Sequence, residues 1–318
     1  MFRRIWQTMM IALARSASVT RFVQRTRAGS FLARKYVAGE SPEAAVAAAN
    51  RLFLSKQLHS SLFFLGEYVT RIELVSENVE NILAVVQQLR ATDLEIHVSV
   101  DPTQIGYAIE PAIARANVMQ IAKAITTASS DRPGLNCLML DMEDSSVVAP
   151  TIAIHDDLRD QGLFVALTLQ AYLRRTEQDM LAQIETGSRI RLVKGAFAAN
   201  ADIAFTTQSA IKDNYRRLVE LMLSAAARST RFYPIIATHD ERLHDFAIDT
   251  ARRNGWLPGE YEFEMLLGVR SDVATALAGR GERVRLYVPF GRDWWPYAVR
   301  RIGENPRNGF LLAKSLLQ

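Results

Sequence analysis

Near the end of the chain, residues 293–308 read DWWPYAVRRIGENPRN. Placed on a helix, Tyr297, Arg300, Arg301 and Glu304 fall at i, i+3, i+4 and i+7, which is one face. A core-packing helix would carry leucines there. This one carries a phenol, two guanidinia and a carboxylate. Guanidinium forks suit carboxylates and phosphates. Adjacent residues diverge by about 100° around a helix, so the two arginines share one anion only if it lies off the helix side between them. Two solvated arginines on a surface helix would have the same spacing, so the decision rests on what the rest of the chain brings nearby.

Other residues offer competing chemistries. Lys194 closes an apolar run in RLVKGAF. A lysine there could form a Schiff base, as in an aldolase, face an anionic cofactor, or sit in a rim salt bridge. His239, in ATHD, reads as a hydrogen-bonding residue. His239 and His244 are five apart and do not form H-E-x-x-H. One cysteine and scattered histidines argue against a metal site. Cys137 lies inside a strand-like run and reads as core. Neither G-x-G-x-x-G nor a P-loop occurs, so no Rossmann cofactor site is indicated.

The elements that must position these groups follow from the pattern. Residues 1–58 read as a helical arm. Within it, Ser41 is a cap, Pro42 takes the first helical position and Glu43 the first turn. Beyond it, apolar or alternating runs recur at 61–65, 94–100, 136–141, 163–169, 189–194, 233–238, 261–266 and 284–288. Amphipathic stretches such as 76–90 and 240–254 separate them. Eight strand–helix units in sequence predict a closed parallel (βα)8 TIM-type barrel over 59–318, preceded by the arm. In such barrels chemistry sits where strands end. The strand ends supply Glu67, Asp101, Asp141 with Glu143, Gln170, Arg191, Lys194, Thr238 with His239, Glu264 and Tyr287. With Asp293 as its cap, the eighth helix brings Tyr297, Arg300 and Arg301 close to that rim.

The bulk numbers fit one such barrel. The chain has 318 residues, 49% of them hydrophobic, so a sizeable core is affordable. A single cysteine excludes an internal disulfide framework and points to a reducing, cytoplasmic compartment. A net charge of +4 is too modest to argue for nucleic acid. No apolar run approaches the ~18 residues of a membrane span. The N-terminus resembles a signal peptide, but its apolar stretch, Met9–Ala14, is short and broken by Arg15. Phe2, Ile5, Trp6, Met9, Met10 and Leu13 recur at helical spacing beside Arg3 and Arg4. That is a helix docking on its own domain or a basic amphipathic helix touching an anionic membrane surface. From the residues alone, the chain is a barrel enzyme with a cationic rim, suited to a small anionic substrate or a phosphate-bearing cofactor. A Schiff-base aldolase and a non-catalytic binding barrel stay open.

Taken together and in order, LTLQAYLRRT, RIRLVKGAF, ATHD, FEMLLGVR, VRLYVPFG and YAVRRIGENPRN resemble the monofunctional bacterial proline dehydrogenases, from about residue 19 to the end. LGE at 65–67 and DMED at 141–144 fit the earlier blocks. The resemblance implies a (βα)8 barrel whose eighth helix lies over the mouth. It implies FAD as cofactor, oxidation of L-proline to Δ1-pyrroline-5-carboxylate, and a membrane quinone as electron acceptor. By the same resemblance, Arg300 and Arg301 would grip the substrate carboxylate, and Tyr297, Tyr287 and Leu266 would pack the ring. Gln170, Arg191, Lys194, Gly195, Ala196, Thr238 and His239 would hold the flavin, with Arg191 near the reactive ring. Asp141 would support the active site from the third strand.

Four positions depart from the resemblance. Asp101 stands where a lysine is expected to add a third cation for the carboxylate. Glu264 replaces a glutamine, Leu267 an aromatic residue or histidine, and Phe197 a tyrosine. The flavin-contacting set is better preserved than the substrate set. A related cyclic amine or proline analogue, such as a hydroxyproline or a specialised biosynthetic substrate, is therefore the alternative substrate.

Overall fold

The structure, a computed structural model, describes residues 35–66 and 69–304, the side chains of 302–304 excepted. Glu67, the side chain of Glu304 and the amphipathic N-terminal segment lie outside the described residues.

All eight expected strands form, and they close into one parallel barrel in sequence order. They are β1 (His59–Phe64), β2 (His97–Val100), β3 (Cys137–Leu140), β4 (Val165–Gln170), β5 (Arg189–Val193), β6 (Tyr233–Ala237), β7 (Glu262–Leu266) and β8 (Val284–Phe290). The seam closes with Leu62 opposite Val288 and Phe64 opposite Phe290. Helices cover one strand face and the barrel interior takes the other, so the strands carry continuous buried runs rather than alternation.

The outer helices follow the 3.6-residue period. In α2 (Ile72–Arg90), Val75, Val79, Ile82, Val86 and Leu89 form the buried stripe. Each such side chain contributes roughly 1.5–3 kcal/mol by leaving water. The remaining helices are α3 (Pro111–Ala128), α4 (Val148–Asp160), α5 (Thr176–Glu185), α6 (Gln208–Met222), α7 (Ala225–Ser229), α8 (Glu241–Arg253), α9 (Ser271–Gly279) and α10 (Trp294–Glu304).

Two helices decide the shape of the site. Helix α1 (Pro42–Lys56) begins as expected, with the Ser41 hydroxyl accepting from the Ala44 N–H at 3.4 Å. It packs on β1, β8 and α2, in the outer ring between the last strand and the first. That place would otherwise fall to the helix after β8. Helix α10 is instead folded over the C-terminal end of the barrel. There Trp294, Trp295, Tyr297, Ala298 and Val299 form one apolar cluster with Phe63 and Leu65 of the first strand region and with Tyr36 and Val37.

The opposite, N-terminal end is closed by buried charge. Arg285 is fully buried and donates to Glu262 at 2.6 and 3.1 Å and to Glu95 at 2.7 Å. Arg283 joins the same two carboxylates and His59 lies 3.1 Å from Glu95. Burial opposes ionisation of Glu95, yet Arg285, His59 and Arg283 hold its carboxyl far below the usual range. Charge at this face of a barrel serves stability rather than chemistry.

Candidate active site

Side chains alternate along a strand, so every second residue points into the barrel. On β5 this turns Arg191 inward, where it is 4% exposed. Its guanidinium is held by four side chains. Nε and Nη2 donate to the Thr168 hydroxyl at 3.0 and 2.8 Å. Nη1 donates to Glu264 Oε1 at 2.7 Å and weakly to Ser99 Oγ at 3.4 Å, and Nη2 donates to Asp141 Oδ1. The Tyr287 hydroxyl donates to the other Asp141 oxygen at 2.8 Å. The Arg191 guanidinium lies 5.5 Å from the centre of the Tyr287 ring, and that ring packs at 5.2 Å on Phe63. Asp141 thus accepts from the guanidinium on one oxygen and from the phenol on the other. Arg191, Asp141 and Tyr287 therefore meet as expected. Glu264, Thr168 and Ser99 join them.

Above this cluster sits α10. Tyr297 is buried, and the Arg301 guanidinium stacks on its ring at 5.2 Å from the centroid. Arg301 also acts on His239. Burial first, then the charges of Arg301, His244, Lys194 and Arg270, push the His239 imidazole down to about 4. Rim residues from β5, β6 and α10 thus converge on one place. His239 Nε2 accepts from the Leu266 N–H at 3.0 Å, so the neutral ring carries its proton on Nδ1 and keeps a donor there. Arg300, one residue earlier and about 100° round the helix, is exposed. The two arginines differ in burial: Arg301 is half-buried against Tyr297, and Arg300 is exposed.

The remaining predicted residues line the same rim. Gln170 Nε2 donates to the carbonyls of Met142 at 3.3 Å and Glu143 at 3.1 Å, which fixes its amide. Glu143 is itself pinned by the Thr103 N–H at 2.8 Å and hydroxyl at 2.6 Å. Lys194 is half-buried and its carbonyl accepts from the Tyr172 N–H at 3.0 Å. Gly195 has φ +87°, and a Cβ there would stand 2.1 Å from the Tyr172 ring, so only glycine fits. Ala196 is exposed and Phe197 half-buried. Thr238 is buried; its hydroxyl accepts from the Asp240 N–H at 3.2 Å and its carbonyl meets His244 Nε2 at 2.9 Å. Leu266 and Leu267 are half-buried at the end of β7. Asp101 directly follows β2, half-buried, in the same alternation as the inward Ser99.

Thr168 and Ser99 escaped sequence reasoning because a neutral residue in mid-strand is indistinguishable from packing. The signal that could have found Thr168 is its two-residue spacing from Gln170, which puts both inside the barrel.

This is a (βα)8-barrel enzyme with a clamped arginine at the mouth and a helix over it. The chain belongs to the proline dehydrogenase family, whose profile matches residues 48–312. It is 32% identical over 254 residues to proline dehydrogenase 2 of Bacillus subtilis (strain 168), covering 80% of each chain. It is 32% identical over 289 residues to the proline dehydrogenase of Deinococcus radiodurans, covering 90% of each. Among solved structures, proline utilization A (PutA) from Bdellovibrio bacteriovorus superposes with a TM-score of 0.76 at 20% identity. That match covers 87% of this chain but 33% of PutA, and it shows the fold alone. Membership makes the chain an oxidoreductase with FAD as its cofactor and sets aside the aldolase and the non-catalytic barrel.

The rim fits a flavin on its own chemistry. Two buried polar atoms at the end of β4, Gln170 Oε1 and the Tyr172 hydroxyl, have no hydrogen-bond partner among the described residues. Buried polar groups are rarely left so, unless a further molecule completes them. Lys194 and the Nδ1–H of His239 add donors of the kind a ring carbonyl or a phosphate accepts, and the clamped Arg191 adds positive charge beside them.

Proposed function

We propose that the chain oxidises L-proline to Δ1-pyrroline-5-carboxylate and passes the electrons to a quinone. The observation that supports this reading is the stacking of Arg301 on the buried Tyr297 ring of the helix over the barrel mouth, which brings a second cation to the end of the barrel that holds the clamped Arg191. In it, Arg301 anchors the substrate carboxylate with the more exposed Arg300 as its lesser partner, and Tyr297, Tyr287 and Leu266 pack the ring. Gln170, Arg191, Lys194, Gly195, Ala196, Thr238 and His239 hold the cofactor.

FAD, when bound, supplies the hydride acceptor. The chain's own residues position the reactants. Asp141 and Thr168 fix Arg191 before any ligand arrives, so its charge needs no reorganisation. Burial keeps His239 a neutral donor across the physiological range. Trp294, Trp295 and Tyr297 of α10 shield the mouth from water.

Asp101 favours a second reading. A carboxylate at the rim attracts an amine and repels an acid, so another cyclic amine or a hydroxyproline is the alternative substrate. A panel of cyclic amines and imino acids, mixed anaerobically with the flavin-loaded protein, decides between them. Rapid loss of the flavin's visible band with L-proline alone supports the first reading; loss only with another member of the panel overturns it.

With a quinone as acceptor, the reading has a cytoplasmic protein working at the surface of the inner membrane. The basic amphipathic segment at the N-terminus supports peripheral contact there. Among the described residues, no helix is long and apolar enough to cross a membrane. Flotation with anionic vesicles, with and without residues 1–18, tests the contact. Equal binding by both forms contradicts it.

A further inference from the structure

Arg191 is shared by two buried carboxylates. Asp141 and Glu264 are 7% and 3% exposed, and each accepts from a different end of the guanidinium. If both were ionised, the cluster would hold one unbalanced negative charge inside the barrel, where an uncompensated charge is strongly disfavoured. The two acids are not equivalent. Asp141 has donors on both oxygens, Arg191 and Tyr287. Glu264 has a donor on Oε1 only, and its Oε2 is buried with no partner among the described residues.

The surroundings push the same way. On its own strand, Glu264 has the carboxylate of Glu262. Across β8 it has Arg285, already bound to Glu262 and Glu95, and the Tyr287 phenol, whose proton goes to Asp141. From β5 it has Arg191, from the end of β3 Asp141, and from the end of β6 His239, which burial keeps neutral. Burial pushes the Glu264 carboxyl up, and Arg191 only partly opposes it.

We propose that Glu264 holds a proton in the resting protein and acts as the pH gate of the pocket: as a neutral acid it leaves Arg191 to Asp141, and on ionising it places a second negative charge under the site that binds the substrate carboxylate. This is a positioning and specificity role, and it rests on the proposed binding of a carboxylate at Arg301.

The test uses the FAD-loaded protein and a five-membered cyclic carboxylic acid that lacks the ring nitrogen and cannot be oxidised. Its binding is followed by the perturbation of the flavin spectrum from about pH 5.5 to about pH 9. In the wild type, affinity falls at least about tenfold as pH rises. In Glu264→Gln, which keeps the shape and cannot ionise, affinity stays flat. Infrared spectra of the same samples supply a readout independent of any ligand. A protonated-carboxyl C=O band is present in the wild type, absent from Glu264→Gln, and lost with rising pH in step with affinity. Parallel pH curves in the two proteins, or no band difference between them, overturn the proposal. If Glu264→Gln does not fold, the wild-type infrared titration decides alone: the inference fails if no protonated-carboxyl band disappears over that range. Failure of L-proline to reduce the flavin would instead refute the substrate assignment and leave the infrared result standing.

Discussion

Arg301→Ala, compared with Arg300→Ala, separates two residues that are neighbours in sequence and differ in burial. Arg301 is half-buried, stacked at 5.2 Å on the buried Tyr297 ring, and close enough to His239 to be the leading charge in that imidazole's depression to about 4. Losing a charged donor to a desolvated carboxylate costs about 2–5 kcal/mol. Arg301 keeps some solvent contact, so the lower part of that range applies, about 2–3 kcal/mol, or roughly 30- to 160-fold in kcat/KM. The loss should appear mainly in KM, because anchoring precedes chemistry. Flavin content should change little. The His239 imidazole should rise somewhat from about 4, with burial still holding it below its ordinary value, and nitrogen NMR reads that rise directly. Arg300 is exposed, and its removal should cost less than about tenfold. Steady-state kinetics of both variants with L-proline, alongside the ratio of flavin to protein absorbance, form the assay. Equal losses in the two variants, or unchanged kinetics in Arg301→Ala, would refute the reasoning that the half-buried arginine is the anchor.

Three further outcomes follow from the geometry. Gly195→Ala must place a Cβ against the Tyr172 ring at a φ of +87°, so it should lower flavin retention on purification and reduce stability by about 1–3 kcal/mol, measured by urea unfolding. Tyr287→Phe removes the phenol that steadies Asp141 and should lower kcat/KM about tenfold with flavin content retained. Glu95→Gln breaks the buried network below the barrel at a cost of about 3–5 kcal/mol near neutral pH. Its folded carboxyl sits below the unfolded value of about 4.3, so its stabilisation is complete above that value and fades as pH falls; the variant and the wild type should converge in acid urea titrations, and a gap independent of pH would count against the network.

Much of the fold was legible because it rests on local pattern. Strand-like runs bounded by amphipathic stretches mark β1 to β8, and Ser41 with Pro42 marks the start of α1. The role of α1 was not legible. Its place in the outer ring depends on α10 leaving that place for the barrel mouth, a long-range exchange that no local signal encodes. At the site, charged residues at strand ends stood out, so Asp141, Arg191 and Glu264 were found. That they form one hydrogen-bonded cluster depends on the relative stagger of β3, β5 and β7, which only the closed barrel fixes. Ser99 and Thr168 were hidden for the opposite reason, being small neutral side chains in runs that read as core. The RR pair shows the limit of spacing arguments. Helical periodicity put both arginines near one face, and only the packing of α10 through Trp295 and Tyr297 on the barrel mouth decides that Arg301 is half-buried while Arg300 is exposed.

The most direct measurement is a crystal structure of the flavin-loaded protein with the non-oxidisable cyclic acid bound. The account predicts the acid's carboxylate on Arg301, its ring against Tyr297, Tyr287 and Leu266, and the isoalloxazine beside Arg191 with Gln170 Oε1 accepting one of its N–H groups. A carboxylate bound away from α10, or a flavin that leaves Arg191 and Gln170 untouched, would contradict it.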